Sequence, residues 1–537
     1  MIKGIAVAAV LLITAAANGE EFSAEAIRGH MRFLASDLLE GRGTGTRGYE
    51  LAAAYVSAQL EAAGIAPGAG TSYYQTIPFR KTMPSRDSEL TLLPDNGRPI
   101  RFRFGEGFAT TGDPLYPEKS LLAGRVVLVG YGVTAPELGH DDYAGVDVRQ
   151  KIVAYFSGAP AKFANTVRAH YSSSLLKIEN ASAHGAAGVI VLNTRADAQR
   201  VPWDRRVRQN KLGSMHWLKE DGQPHAALAD VSHTVTLSVG ATEMLFANSG
   251  RTYDQIVSEL ESGTLRAAEL PVRASIQLSS AHERVQSPNV VGVLQGSDPK
   301  LRNEYLVISS HLDHLGVSDP VNGDTINNGA LDNASGIAAL LEIARAFTSR
   351  PARPRRSIIF LATTAEEKGL RGADYFANNP TVPIRQVVGN INIDQILMLH
   401  AVRDVVPLGM EVSDLGVMAR KVAAAMNLEI SPEPYPDEVI FVRSDQYPFV
   451  KAGVPALYAN LGYKPVDGKT DVLAANLTWF RTIYHSPQDD LGQNIDYSMG
   501  ALLAKFNYLV AVEAANRTAP PAWTPGNYFG EKFGRRR

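Results

Sequence analysis

The residues of this chain whose types and spacing could do chemistry are two histidines, His311 and His485, and four carboxylates, Asp332, Glu366, Glu367 and Asp394. Together they are nitrogen and oxygen donors of the kind Zn²⁺ accepts, with one glutamate more than a ligand set needs. There is no cysteine, which excludes thiolate metal sites, cysteine nucleophiles and disulfides, so any metal must be held by His, Asp and Glu. The donors come singly from well-separated places, as expected when successive strand ends of an α/β sheet converge on one site.

Each donor also has an ordinary reading. His311 ends an apolar run, and Asp313 is two residues on, on the same side if the extended conformation continues. A carboxylate there would take the ring N–H not used for a metal and fix the tautomer. Asp332, before Asn333-Ala-Ser-Gly336, is equally a helix N-cap or a carboxylate able to bridge two cations. Glu366 and Glu367 are either a solvated pair in a helix's first turn or a ligand beside a proton acceptor. Asp394 closes the apolar run that begins at Val387, where a charge needs a partner or is a ligand. Tyr484, next to His485, is a loop aromatic or a hydroxyl donor to a reacting carbonyl, and Asp489 is placed to support His485. His314 reads as a loop histidine.

The elements that must position these groups follow from pattern. Helical periodicity runs from Ser23 to Leu39 and from about Arg47 to Ala63, with Gly64 as a stop. From Asn289 onward, apolar runs of strand length (Asn289–Val293, Tyr305–Ser309, Ser357–Leu361) alternate with helical stretches at Ala334–Phe347 and Gly369–Asn378. This predicts an α/β fold, a mixed, largely parallel sheet flanked by helices. Between about Leu115 and Val285 the character changes to short β-like runs with one helix near Ser174–Gly185, which suggests an inserted β-rich domain.

At 537 residues two or three domains are expected. The division read here is 1–17 signal peptide, 20–114 N-terminal part of the catalytic domain, 115–284 insert, 285–515 catalytic domain and 516–537 tail. Lys3, the apolar run Ile5–Leu12 and the small residues Ala15–Ala17 read as a secretory signal, implying export to a periplasmic or extracellular space. The apolar run is too short to span ~30 Å of hydrocarbon. A net charge of −2 gives no electrostatic reason to expect nucleic acid or anionic membranes as partners.

Taken in order, His311-Leu-Asp-His-Leu-Gly, Gly329-Ala-Leu-Asp-Asn-Ala-Ser-Gly336, Glu366-Glu-Lys-Gly, Asn392-Ile-Asp394 and Tyr484-His-Ser-Pro resemble the M28 family of zinc metallopeptidases. The insert is similar to a protease-associated (PA) domain, notably at Gly130-Tyr-Gly132, Asp141–Asp147 and Gly185–Ile190. The resemblance implies two zinc ions per chain. One would be held by His311, Asp332 and Asp394, the other by Asp332, Glu367 and His485. Glu366 would be the general base in an exopeptidase acting on peptides, an aminopeptidase first of all. Leu331 and Gln446 depart from the family pattern, which often has an acidic residue and a histidine there. The alternatives are a carboxypeptidase, for which Arg443 could hold the substrate's terminal carboxylate, a glutaminyl cyclase, or a catalytically silent peptide-binding protein.

Overall fold

The computed structural model describes residues 22–534 apart from Pro117, Ser232 and Pro351. The expected signal peptide and the final three arginines lie outside the described residues. Two compact units divide the chain. The first comprises 1–77, 286–435 and 443–537, and the second comprises 78–285 with 436–442.

In the first unit, α1 (Ala24–Leu34) buries Ile27, Met31 and Leu34 at helical spacing, and Ser23 caps it by accepting from the Ala26 N–H. The helix stops at Leu34, short of the expected Leu39. Residues Asp37–Arg42 form a tight 3₁₀ turn in which Glu40, Gly41 and Arg42 all have positive φ. A side chain at Gly41 would come within 2.4 Å of the Asn327 carbonyl, so only glycine fits. Helix α2 (Arg47–Ala62) follows, with Thr46 as its cap.

The sheet of this unit is built from β1 (Ala268–Leu294, which contributes residues to both units), β2 (Tyr305–His311), β3 (Ser357–Thr363), β4 (Val387–Asn392), β5 (Asp404–Leu408) and β6 (Ala456–Leu461). Strands β3, β2, β4 and β6 are parallel neighbours in that order, and β1 and β5 pair antiparallel at the two sides. Strands β2, β3 and β4 are apolar almost without interruption because both faces are covered. Leu306 and Ile308 pack with α1, α2, α3 (Ser335–Thr348) and α6 (Tyr497–Asn516), whereas Val307, Ile359 and Leu361 pack with Phe376 of α4 (Arg371–Asn378) and Phe449. The expected mixed, largely parallel sheet is what forms. Residues 517–534 pack onto this unit: the Ala522 N–H donates to Asp414, and Phe529 is fully buried.

The second unit has helices as well as strands. Glu118–Leu128, Ile152–Phe156, Gly188–Leu192 and His233–Leu237 form a parallel ladder. Val126, Ile152 and Ile190 face one core, and Val127, Val153 and Val189 the other. The expected helix is present as Ser174–Ala183. Five more (Asn165–Tyr171, Arg195–Arg200, Trp203–Lys211, Val239–Phe246 and Tyr253–Glu261) were not expected. These have ten residues or fewer, and Arg195–Arg200 and Trp203–Lys211 carry almost no apolar periodicity. The unit also begins earlier than 115, because Glu89–Pro94 pairs antiparallel with Val272–Gln277.

Candidate metal centre

Parallel register brings the C-terminal ends of β2, β3 and β4 to one edge of the sheet. His311 lies opposite Thr363, and Ser309 opposite Asn392. From that edge the chain delivers His311, the Glu366–Glu367 turn and Asp394. Asp332 arrives from the turn before α3 and His485 from the loop between α5 (Val472–Thr482) and α6, and both sit in non-helical backbone, His485 at φ +56°.

The donors converge. The His311 Nε2 atom is 2.9 Å from Asp394 Oδ1 and 3.2 Å from Asp332 Oδ1. On its other side Asp332 presents Oδ2 at 3.2 Å from His485 Nε2, and that nitrogen is 3.1 Å from Glu367 Oε2. Asp332 therefore stands between two groups, as the bridging assignment requires. His311, Asp332 and Asp394 have ligand atoms close enough to share one ion, and so do His314, Asp332 and Glu367. His314 is thus no ordinary loop histidine. It has no exposed surface, and its Nδ1 atom is 2.7 Å from Glu367 Oε1.

Two supporting roles differ from expectation. Beyond His311 the chain turns away from the strand direction, so the His311 Nδ1–H donates to the backbone carbonyl of Asp313 (3.0 Å), not to its carboxylate. The Asp313 carboxylate instead accepts from the backbone N–H groups of Glu366 and Glu367 and from the Thr44 hydroxyl, fixing the glutamate turn. Asp489 does not support His485. Its two oxygens accept from the N–H groups of Leu331 and Asp332 at 3.0 and 2.9 Å, holding the shared carboxylate's backbone.

Several contributors carry no sequence signal of their own. The guanidinium of Arg42 is buried and donates to the carbonyls of Leu312, Asn328, Gly329 and Leu34, tying together the loops that carry His311 and Asp332. Asn333, buried, accepts from the N–H groups of Gly336 and Gln395 and so caps α3 in place of Asp332. The Ser444 hydroxyl donates to Asp394 Oδ2 at 2.5 Å. Arg42 lies in the glycine-broken run Gly41–Gly45. Tyr484 stacks on His485, with ring centroids 3.7 Å apart, and its hydroxyl is 3.4 Å from Arg443.

Electrostatics express the crowding of charge. Burial lowers the imidazole of His311, but Asp394, Glu366 and Asp332 outweigh it and hold the ring well above its usual range. His485 is pushed up to about 9 against burial by Glu367 and Asp332. Asp332 is held well below the carboxylate range: burial opposes this, but the nearby imidazoles of His311 and His485 prevail. Glu366 is the opposite case. Burial, with the like charges of Glu367, Asp394 and Asp445, raises it well above the carboxylate range against the pull of His311. A carboxyl so raised, beside one so lowered, is the separation that acid–base work uses.

The donor set fits a dication. Asp332 Oδ2, Glu367 Oε1 and both ring nitrogens of His314 are buried without a hydrogen bond, and they lie together. Buried polar atoms in folded proteins are normally satisfied, and a positive ion among them would be met by the two carboxylate oxygens and by one nitrogen of the His314 ring.

Comparison with known proteins points the same way. Residues 289–510 match the model of peptidase family M28. A probable zinc metalloprotease of Pyricularia oryzae is 38% identical over 110 residues, which are 20% of this chain and 21% of that protein. Leupeptin-inactivating enzyme 1 of Streptomyces exfoliatus is 28% identical over 247 residues, 43% of this chain and 50% of that protein. The chain spans half or less of the length of these curated relatives. Among solved structures, the aminopeptidase from Aneurinibacillus sp. strain AM-1 superimposes with a TM-score of 0.53 at 20% identity. The alignment covers 96% of this chain and 98% of that one, and it shows the fold.

Proposed function

We propose, from the peptidase family M28 domain at residues 289–510, that this chain is a two-zinc exopeptidase, an aminopeptidase that removes N-terminal residues from peptides. The observation that carries the reading is Asp332 standing between His311 and His485, with Glu366 beside the cluster. One zinc would be held by His311, Asp332 and Asp394, and the other by Asp332, Glu367 and His485. Bound there, zinc supplies Lewis acidity, making a water acidic near neutral pH and polarising a carbonyl.

The chain's own residues do the rest. Glu366, with its raised proton affinity, takes the proton of the attacking water and returns it to the leaving amine. The Asp313 carboxylate holds the backbone of that glutamate still, so the acceptor keeps one position through both transfers. The Tyr484 hydroxyl, with Arg443 next to it, donates toward the oxygen on which negative charge develops. The Arg443 guanidinium donates to the Tyr484 hydroxyl at 3.4 Å, which sets a cation beside the neighbour of His485, where a substrate carboxylate would meet it. That is the basis of the second reading, a carboxypeptidase.

The inserted unit, 78–285, is proposed to be a PA-like domain, and export follows from the apolar N-terminal run if it acts as a signal. No helix among the described residues is long and apolar enough to cross a membrane. The test is a mass-spectrometric time course on a peptide mixture with the zinc-loaded protein, alongside N-acetylated and C-amidated versions. Ladders shortened from the N-terminus and abolished by acetylation are expected. Shortening from the C-terminus, blocked by amidation, would transfer the assignment to a carboxypeptidase and to Arg443.

A further inference from the structure

We propose that His314 is a direct ligand of the second metal position, giving it two imidazoles where the first has one. The inference rests on the two-metal reading above and goes beyond its ligand set.

Three observations carry it. First, the Nδ1 atom of His314 lies 2.7 Å from Glu367 Oε1 and 3.9 Å from Asp332 Oδ2, so both carboxylates of the second position face this ring. Second, His314 Nδ1, Glu367 Oε1 and Asp332 Oδ2 are all buried, none of them has an aligned hydrogen bond, and they are close enough to share one ion. A supporting histidine would donate to the glutamate and leave fewer orphans. Lone pairs aimed at a common point are what a shared cation produces. Third, the ring's seat is built for it. Gly329 has φ +57°, and a Cβ there would sit 2.6 Å from His314 Cγ and 2.2 Å from the Asp332 carbonyl. The His314 backbone is held from the other side by its N–H, which donates to the Arg42 carbonyl at 3.2 Å.

Glu367 then divides its oxygens, Oε1 toward His314 and Oε2 toward His485, and the two rings stand edge-on at 5.8 Å. Two nitrogens and two carboxylates make this position softer than the first, where one nitrogen meets two carboxylates. The chemistry favours Zn²⁺, Co²⁺ or Ni²⁺ over Mn²⁺ at the second position more strongly than at the first.

The test begins with the intact wild-type chain loaded with Co²⁺, in which ring N–H protons of coordinated histidines show large paramagnetic shifts. Three such protons, from His311, His314 and His485, are expected. His314→Asn should remove one of them, alter the visible Co²⁺ bands and weaken the second metal at least tenfold in chelator competition, with the first unchanged. Two shifted protons in the wild-type protein at two metals per chain overturn the inference and leave the two-metal reading intact. So would an unchanged Co²⁺ spectrum in His314→Asn. If the wild-type protein takes one metal or none, the two-metal reading falls and this inference with it. His485→Ala separates the cases further, because it should cost the second metal whether or not His314 is a ligand.

Discussion

Lys177 in the second unit and the carboxylate–histidine cluster in the first both bury charge, and they resolve it differently. The Lys177 ammonium donates to the carbonyls of Phe156 and Gly158 and lies 5.2 and 5.8 Å from the ring centroids of Tyr155 and Tyr131. Its needs are met within its own unit, and burial brings its pKa down to about 7. The first half of the cluster is likewise closed, His311 and Asp394 pairing with each other and with Asp313 and Ser444. The second half is not closed: its orphaned atoms belong to His314, Glu367 and Asp332. A buried charge with every partner in the chain reads as architecture. Buried donors that lack one in the chain have the chemistry of a metal site.

The strongest way to break that contrast is at Asp332. Asp332→Ala should lose both metals and all turnover, measured by elemental analysis and peptide cleavage, and a variant that still holds two metals would remove its shared role. Glu366→Gln should keep both metals and lose about 10²–10⁴-fold in kcat, the range a general base supplies. Near wild-type turnover in that variant would refute the assigned base. Arg42→Met should cost about 3–5 kcal/mol, since it leaves four buried carbonyls without their donor. Chemical denaturation measures this, and a change below ~1 kcal/mol would show that the two loops hold themselves.

The smallest effects are in pH, and there the two units oppose each other. In the metal-free protein the folded pKa of His485 is about 9, above its ordinary 6.5. Between these values the folded chain binds more protons than the unfolded one, so this contribution is full below 6.5 and is lost as pH rises toward 9. Lys177 has the reverse sign. Its folded pKa of about 7 lies below its ordinary 10.5, so the unfolded chain binds more protons and stability rises with pH across that window. Each group contributes a slope of up to about 1.4 kcal/mol per pH unit. Lys177→Met should abolish the rising component and leave the falling one, read from denaturation at pH 7, 8 and 9. A pH dependence unchanged in Lys177→Met would mean that burial does not lower the proton affinity of this lysine.

The same contrast explains what could be read from the sequence. Strands β2, β3 and β4 were legible because a strand buried on both faces is an unbroken apolar run, and the polar residue that ends it announces the site. His311, Asp394 and the Glu366–Glu367 pair all stand at such ends. The supporting contacts of Asp313 and Asp489 were misassigned because they depend on where the chain turns after a strand, which spacing does not encode. His314 was passed over because a histidine one residue beyond Asp313 looks like any loop residue until its burial is seen. Arg42 and Asn333 act through backbone groups far away in sequence, a role that has no local pattern. The insert's five unexpected helices are short and, in the two arginine-rich cases, polar enough to read as loop.

On the proposed function, peptide cleavage needs two ions held around Asp332, and that need is measured by titrating metal back into chelator-treated protein while following cleavage of an unblocked peptide. The stripped protein should show no turnover, and added zinc should restore activity fully only at two equivalents. Full activity after stripping, or a plateau at one equivalent, would contradict it.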